Sequence, residues 1–136
     1  MLRVVLDTNV LVSAVHFGGT PASVLSLAVE GQFLPVTSAA LLTELSDVLR
    51  SKFRYPPDML ELVMTEWKAM ALVTEPRERL SIIAEDPSDN RVLACALSAH
   101  AQMIVSGDRH LLTLKRFRVI PILSPREFLE RSFPHV

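Results

Sequence analysis

At 136 residues, with 49% hydrophobic and 21% charged side chains and few glycines, the chain reads as one folded globular domain (residues 1–136) with a real core, which excludes a disordered chain. A formal net charge of −1 decides little by itself. A nucleic-acid binder is often more basic, so such a role must rest on local cation patches and on a metal that offsets nearby acids. Cys95 is the lone cysteine and lies in an apolar helical stretch, which excludes an intrachain disulfide and fits a reducing compartment. The N-terminus lacks a signal-peptide pattern and no apolar run approaches the ~18 residues of a membrane span, so the cytoplasm and no membrane partner are expected.

In chain order, short apolar runs alternate with segments whose apolar residues recur at helical spacing. Strands are predicted at about 3–6, 33–36, 71–74, 103–106 and 119–123. Helices are predicted at about 10–16, 21–30, 39–51, 57–70, 89–100, 109–114 and 126–132. Thr20-Pro21, Ser88 or Asp86-Pro87, and Ser124-Pro125 supply caps and first-turn prolines, and Gly31 can stop the second helix. Pro56-Pro57 and the stretch 74–86 are the expected loops. A βα alternation of this kind predicts an α/β fold, a three-layer α/β/α sandwich with a central parallel sheet of four to five strands.

Asp7 stands directly behind the apolar run Val4-Val5-Leu6, and Asp108 follows Met103-Ile104-Val105 through Ser106-Gly107. Each acid therefore closes a buried strand, and in an open parallel sheet such strand ends meet at one ligand-binding edge. A buried ionised carboxylate costs several kcal/mol unless something positive or hydrogen-bonding compensates it. In the third helix Leu41, Leu42, Leu45, Val48 and Leu49 form one stripe, with Glu44 on its margin. In the fifth helix Asp89 projects from the first turn within the stripe of Val92, Leu93, Ala96 and Leu97.

Each acid also has a structural reading. Asp7 and Asp108 can cap the helices that follow them, Asp86 before Pro87 suits a helix start, and Glu44 can be a partly solvated helix residue. Their coincidence on separate elements at one edge is the stronger argument, because such acids repel and raise one another's pKa unless a cation lies between them. Hard oxygen ligands in that number suit Mg²⁺ or Mn²⁺, one or two ions, and the lack of a close His/Cys cluster argues against zinc.

The segments Val5-Leu6-Asp7-Thr8-Asn9-Val10-Leu11, Thr43-Glu44-Leu45, Asp86-Pro87-Ser88-Asp89-Asn90 and Val105-Ser106-Gly107-Asp108-Arg109-His110-Leu111-Leu112 together resemble the PIN-domain family of metal-dependent nucleases. The likeness is to small prokaryotic single-domain members of the kind found as toxins of toxin–antitoxin pairs, and it spans essentially the whole chain in order. The resemblance implies that Asp7, Glu44, Asp89 and Asp108 are the catalytic metal ligands. It implies that Asn9 and Ser106 lie beside the metal and orient ligands or water, with Asp86 close enough to Asp89 that the choice between those two stays open. His110 stands where many relatives carry an acid.

The implied activity is hydrolysis of single-stranded RNA by an Mg²⁺- or Mn²⁺-dependent endoribonuclease without a protein nucleophile. Phosphate contacts are expected from Arg109, Arg91, Lys115 and Arg116, with Arg118 nearby and Arg50, Lys52 and Arg54 at the end of the third helix. By the same resemblance an antitoxin protein and a homodimer are expected partners. The helix over 57–70, with Leu60, Val63, Met64 and Trp67 at helical spacing, is expected to face the core, with an exposed partner contact through Met59, Met64, Met70 and Trp67 as the alternative. Two rival readings are a catalytically inactive PIN-like interaction module, which has no need of mutually repelling acids, and an Asp-dependent phosphoryl-transfer protein. The second departs from the residues, since Asn9 stands where a phosphatase pattern has a second Asp and Lys115 lies far beyond its strand.

Overall fold

The computed structural model describes residues 1–77 and 87–135. The elements run β1 (Arg3–Leu6), α1 (Thr8–Phe17), α2 (Gly19–Val29), β2 (Leu34–Ser38), α3 (Ala39–Ser51), α4 (Pro57–Met70) and β3 (Leu72–Thr74). They continue with α5 (Pro87–Ser98), β4 (Met103–Val105), α6 (Arg109–Leu114), β5 (Arg116–Phe117), β6 (Ile120–Leu123) and α7 (Pro125–Ser132). The sheet order is β3-β2-β1-β4-β6-β5, with every neighbouring pair parallel except β5 and β6. The α/β sandwich expected from the periodicity is therefore present, with one antiparallel edge strand added.

That added strand is the main departure. Arg116 and Phe117 pair with Pro121 and Ile120 across a turn in which Arg118 takes φ 55°. Neither the two-residue length of β5 nor its exposed Arg116 gives an apolar run that periodicity can detect. At Thr20-Pro21 the expected cap is also corrected. Helix α2 begins at Gly19 after Gly18, with no side-chain cap, because both glycines take positive φ (69° and 66°) and turn the chain directly. Pro21 then sits in the first turn, where its missing N–H has no intrahelical acceptor to lose. Helices α3, α4 and α6 have the expected bounds, and Ser124 with Glu127 closes a reciprocal capping box on α7.

Alternation along the strands sorts the core into two layers. Val4, Leu6, Val105 and Leu123 face α1, α2, α3, α4 and α7, where Val24, Leu45, Trp67 and Phe128 pack. Val5, Val36, Ile104 and Ile122 face the other way, onto Leu93, Ala96 and Leu111 of α5 and α6. Helix α4 joins the first layer through Leu60, Val63, Met64 and Trp67, while Met59 and Leu62 on its other side are exposed. Cys95 is buried in the second layer, which pushes its thiol up to about 12. The strand order reverses at β1, whose neighbours are β2 on one side and β4 on the other. A doubly wound sheet opens a crevice beyond the carboxyl ends of its strands at such a point.

Candidate functional site

Asp7 and Asp108 flank that crevice because each is the residue at which a strand gives way to a helix. Asp7 still belongs to the sheet through its amide, which donates to Val105 O at 2.9 Å, while its Oδ1 accepts the Thr8 amide at 2.8 Å and caps α1. Asp108 caps α6 in the same manner, its Oδ1 accepting the His110 amide at 2.7 Å. The capping reading of both acids is thus met. In each case one oxygen holds the helix start, and the carboxylate as a whole borders the crevice.

A polar network joins the two strand ends. The Ser106 hydroxyl donates to Asp7 Oδ2 at 2.7 Å and accepts the Asp108 amide at 2.9 Å. Asn9 donates from Nδ2 to Asp7 Oδ2 at 3.2 Å and accepts the Gly107 amide on Oδ1 at 3.0 Å. Ser106 is fully buried and Asn9 is exposed, so the network runs from the core to the cleft mouth.

Asp7, Glu44, Asp89 and Asp108 all line one cleft of about 260 Å³, together with Thr8, Asn9, Val12, Ser13, Val48, Lys52 and Phe53. Four carboxylates from four elements thus meet in one place. Asp7 is 5% exposed and Asp89 2% exposed. Among the described residues, the group whose ligand atoms lie within 4.8 Å of one another is Asp89, Asp108 and His110, with Asp7 and Glu44 outside it. Glu44 Oε2 is buried and has no hydrogen-bond partner among the described residues. Burial pushes the Asp7 carboxyl up to about 6, and the Glu44 and Asp108 charges add to this against the bonds from Ser106 and Thr8. A cavity that disfavours the ionised form of Asp7, gathers four carboxylates and leaves the buried Glu44 Oε2 without a donor among the described residues fits a hard divalent cation.

The expected cation partners are distributed differently. Arg91 borders an adjoining depression that it shares with Glu44, Thr43, Asp47 and Ser51. Arg109, Lys115 and Arg116 are exposed and stand outside the residues lining the carboxylate cleft. Asp86 lies outside the described residues. Among the described residues the cation lining the cleft is Lys52, which the sequence offers only as part of a basic helix end. Its signal was nevertheless available: Glu44, Val48 and Lys52 follow at i, i+4 and i+8 along α3, which puts them on one face.

Phe53 was not singled out by any pattern. It brings an aromatic ring to the cleft, stacked on His16 with centroids 3.8 Å apart and planes 13° from parallel. His16 is held at both nitrogens: Nδ1 donates to Val12 O at 3.0 Å, and Nε2 accepts from the Tyr55 hydroxyl at 3.0 Å. These bonds fix the Nδ1–H tautomer and make His16 a support for the ring and not a free ligand.

Among the described residues no single helix is long and apolar enough to cross a membrane. A search among curated proteins finds no match. The family model described as PIN domain matches residues 3–110, from β1 through the first residues of α6, and so takes in all four carboxylates of the cleft. With most of its length covered by that match, the chain belongs to the PIN-domain family, whose members are generally nucleases.

Proposed function

We propose that this protein is a single-domain, metal-dependent endoribonuclease that cleaves single-stranded RNA, acting as the toxin of a toxin–antitoxin pair. The observation that carries the nuclease reading is the convergence of Asp7, Glu44, Asp89 and Asp108 on one cleft at the sheet's switch point. In this reading the same four residues hold one or two Mg²⁺ or Mn²⁺ ions. A cation held by these carboxylates would offset the charge of a phosphodiester and would lower the pKa of a bound water.

The chain's own residues do the rest. Ser106 and Asn9 orient the Asp7 carboxylate through Oδ2, and the amides of Thr8 and His110 each fix one oxygen of Asp7 and Asp108, so the acids are set before any ligand arrives. Lys52 provides a positive charge at the cleft for a backbone phosphate. Phe53 offers an aromatic surface on which an unpaired base can stack, which supports a single-stranded substrate. The exposed Arg109, Arg91, Lys115 and Arg116 extend the phosphate contacts beyond the cleft. A cytoplasmic site of action, an antitoxin that covers the cleft and a homodimer complete the proposal and rest on family likeness.

The test is cleavage of single-stranded RNA, duplex RNA and single-stranded DNA of one sequence, with Mg²⁺ or Mn²⁺ and with a chelator. The single-stranded RNA is expected to be cut, and Asp89→Asn, folded by circular dichroism, is expected to lose at least a hundredfold in rate. No cutting of any nucleic acid would favour the inactive interaction module, and equal cutting by wild type and Asp89→Asn would remove the carboxylate cleft from the reaction. Growth arrest on expression of the wild type but not of Asp89→Asn tests the toxin role.

A further inference from the structure

We infer that His110 is a nitrogen ligand of the divalent cation in this cleft and that it biases the site toward Mn²⁺ over Mg²⁺. The inference rests on the reading above, that the carboxylates hold a cation, and adds to it a donor of different chemistry. Three observations lead to it.

The first is position. Asp108 caps α6, and the residue whose amide it accepts is His110, so the cap that orients the carboxylate also brings the imidazole beside it. The second is distance. His110 Nδ1 stands 3.7 Å from Asp108 Oδ1 and 3.8 Å from Asp89 Oδ2, and the ligand atoms of all three residues lie within 4.8 Å of one another. Both separations exceed hydrogen-bond reach, so neither carboxylate is sealed by the ring. Both fall between the about 3 Å of adjacent and the about 4 Å of opposite atoms about 2.1 Å from one cation, so a small shift of the exposed ring would let the three residues share an ion. The third is availability. The His110 side chain is 59% exposed, whereas the ring of His16, stacked on the cleft residue Phe53, has both nitrogens occupied.

The consequence for metal choice follows from ligand chemistry. Mg²⁺ takes oxygen almost exclusively and gains little from an imidazole, whereas Mn²⁺ accepts a mixed nitrogen and oxygen set. A carboxylate at residue 110 would give an all-oxygen site and more negative charge, which favours Mg²⁺ relative to the present site.

The experiment is pulsed electron paramagnetic resonance on the full chain loaded with Mn²⁺, with calorimetric titration of Mn²⁺ and Mg²⁺ into wild type, His110→Ala and His110→Asp. Wild type is expected to show nitrogen-14 modulation of the Mn²⁺ echo, absent from both variants, and to bind Mn²⁺ at least about tenfold more tightly than Mg²⁺. His110→Asp, which keeps a ligand at the position, is expected to bind Mn²⁺ without the modulation and to narrow the preference several-fold. Mn²⁺ bound in wild type without nitrogen modulation, or modulation that persists in His110→Ala, overturns the inference and leaves the carboxylate site standing. No Mn²⁺ binding by folded wild type overturns both.

Discussion

The Ser106 hydroxyl donates to Asp7 Oδ2 at 2.7 Å and so joins two residues 99 positions apart in the chain. The same oxygen accepts the Asp108 amide, which makes one buried hydroxyl the hinge between the acid after β1 and the acid after β4. Ser106→Ala should therefore do more than remove one bond. It leaves a buried carboxylate oxygen with only the longer contact from Asn9, at an expected cost of about 1–3 kcal/mol in urea denaturation. Loss of a ligand-orienting partner should also weaken Mn²⁺ binding about 10–100-fold in calorimetric titration. Stability lost without any change in metal affinity would show that Ser106 serves the fold alone.

The carboxylate quartet was legible in the sequence because three of its members sit where pattern is strong. Asp7 and Asp108 end apolar strands, and Asp89 interrupts the inward stripe of α5. Glu44 was legible only as a marginal position on α3, and its buried Oε2, without a hydrogen-bond partner among the described residues, became visible in three dimensions. The substrate side was less readable. Basic residues at a helix end look alike in one dimension, and only the packing of α3 against α1 separates Lys52 at the cleft from Arg50, which pairs with Asp47 at 2.9 Å. The β5–β6 hairpin was not legible, because two residues are too few to show a period.

Asp7 carries a pH signature whose sign is fixed by its burial. Its ordinary carboxylate value of 3.8 is raised to about 6 in the folded chain, chiefly by desolvation. Between those values the folded state binds more protons than the unfolded state, so metal-free stability should fall as pH rises from 4 to 6 and stay low above that. Asp7→Asn removes the charge but leaves an amide facing the Asn9 donor. Its net gain at pH 7.5 in chelator is expected to be about 1–2 kcal/mol, and at pH 4 the gain should vanish. Urea denaturation at both pH values checks this; a variant less stable than wild type at pH 7.5 would mean that the hydrogen bonds of Asp7 outweigh its desolvation.

Lys52 and the outlying cations can be separated by salt. Each phosphate contact contributes a slope of about −0.7 to log K against log salt for single strands. Lys52→Ala should reduce the measured slope by about that amount and weaken binding of a non-cleavable RNA oligonucleotide in the Asp89→Asn background. Arg109→Ala, Lys115→Ala and Arg116→Ala lie outside the cleft lining and are expected to change affinity less individually. A larger loss from Lys115 or Arg116 than from Lys52 would move the RNA path away from the cleft lining and onto the β5 edge.

Metal removal should act on the fold as well as on catalysis, because a cation that binds only the native state stabilises it by mass action. At a free Mn²⁺ concentration 100 times its Kd the expected gain is about 2.7 kcal/mol, which for a chain of this length raises Tm by roughly 5–10 °C. The gain should be largest above pH 6, where Asp7 is ionised and the empty cleft is least stable, and small near pH 4, where protons compete for the same oxygens. Thermal denaturation with Mn²⁺ or chelator at the two pH values measures it. An equal Mn²⁺ effect in Asp7→Asn and wild type would mean that the stabilising ion sits elsewhere, and the cleft would lose its claim to be the metal centre.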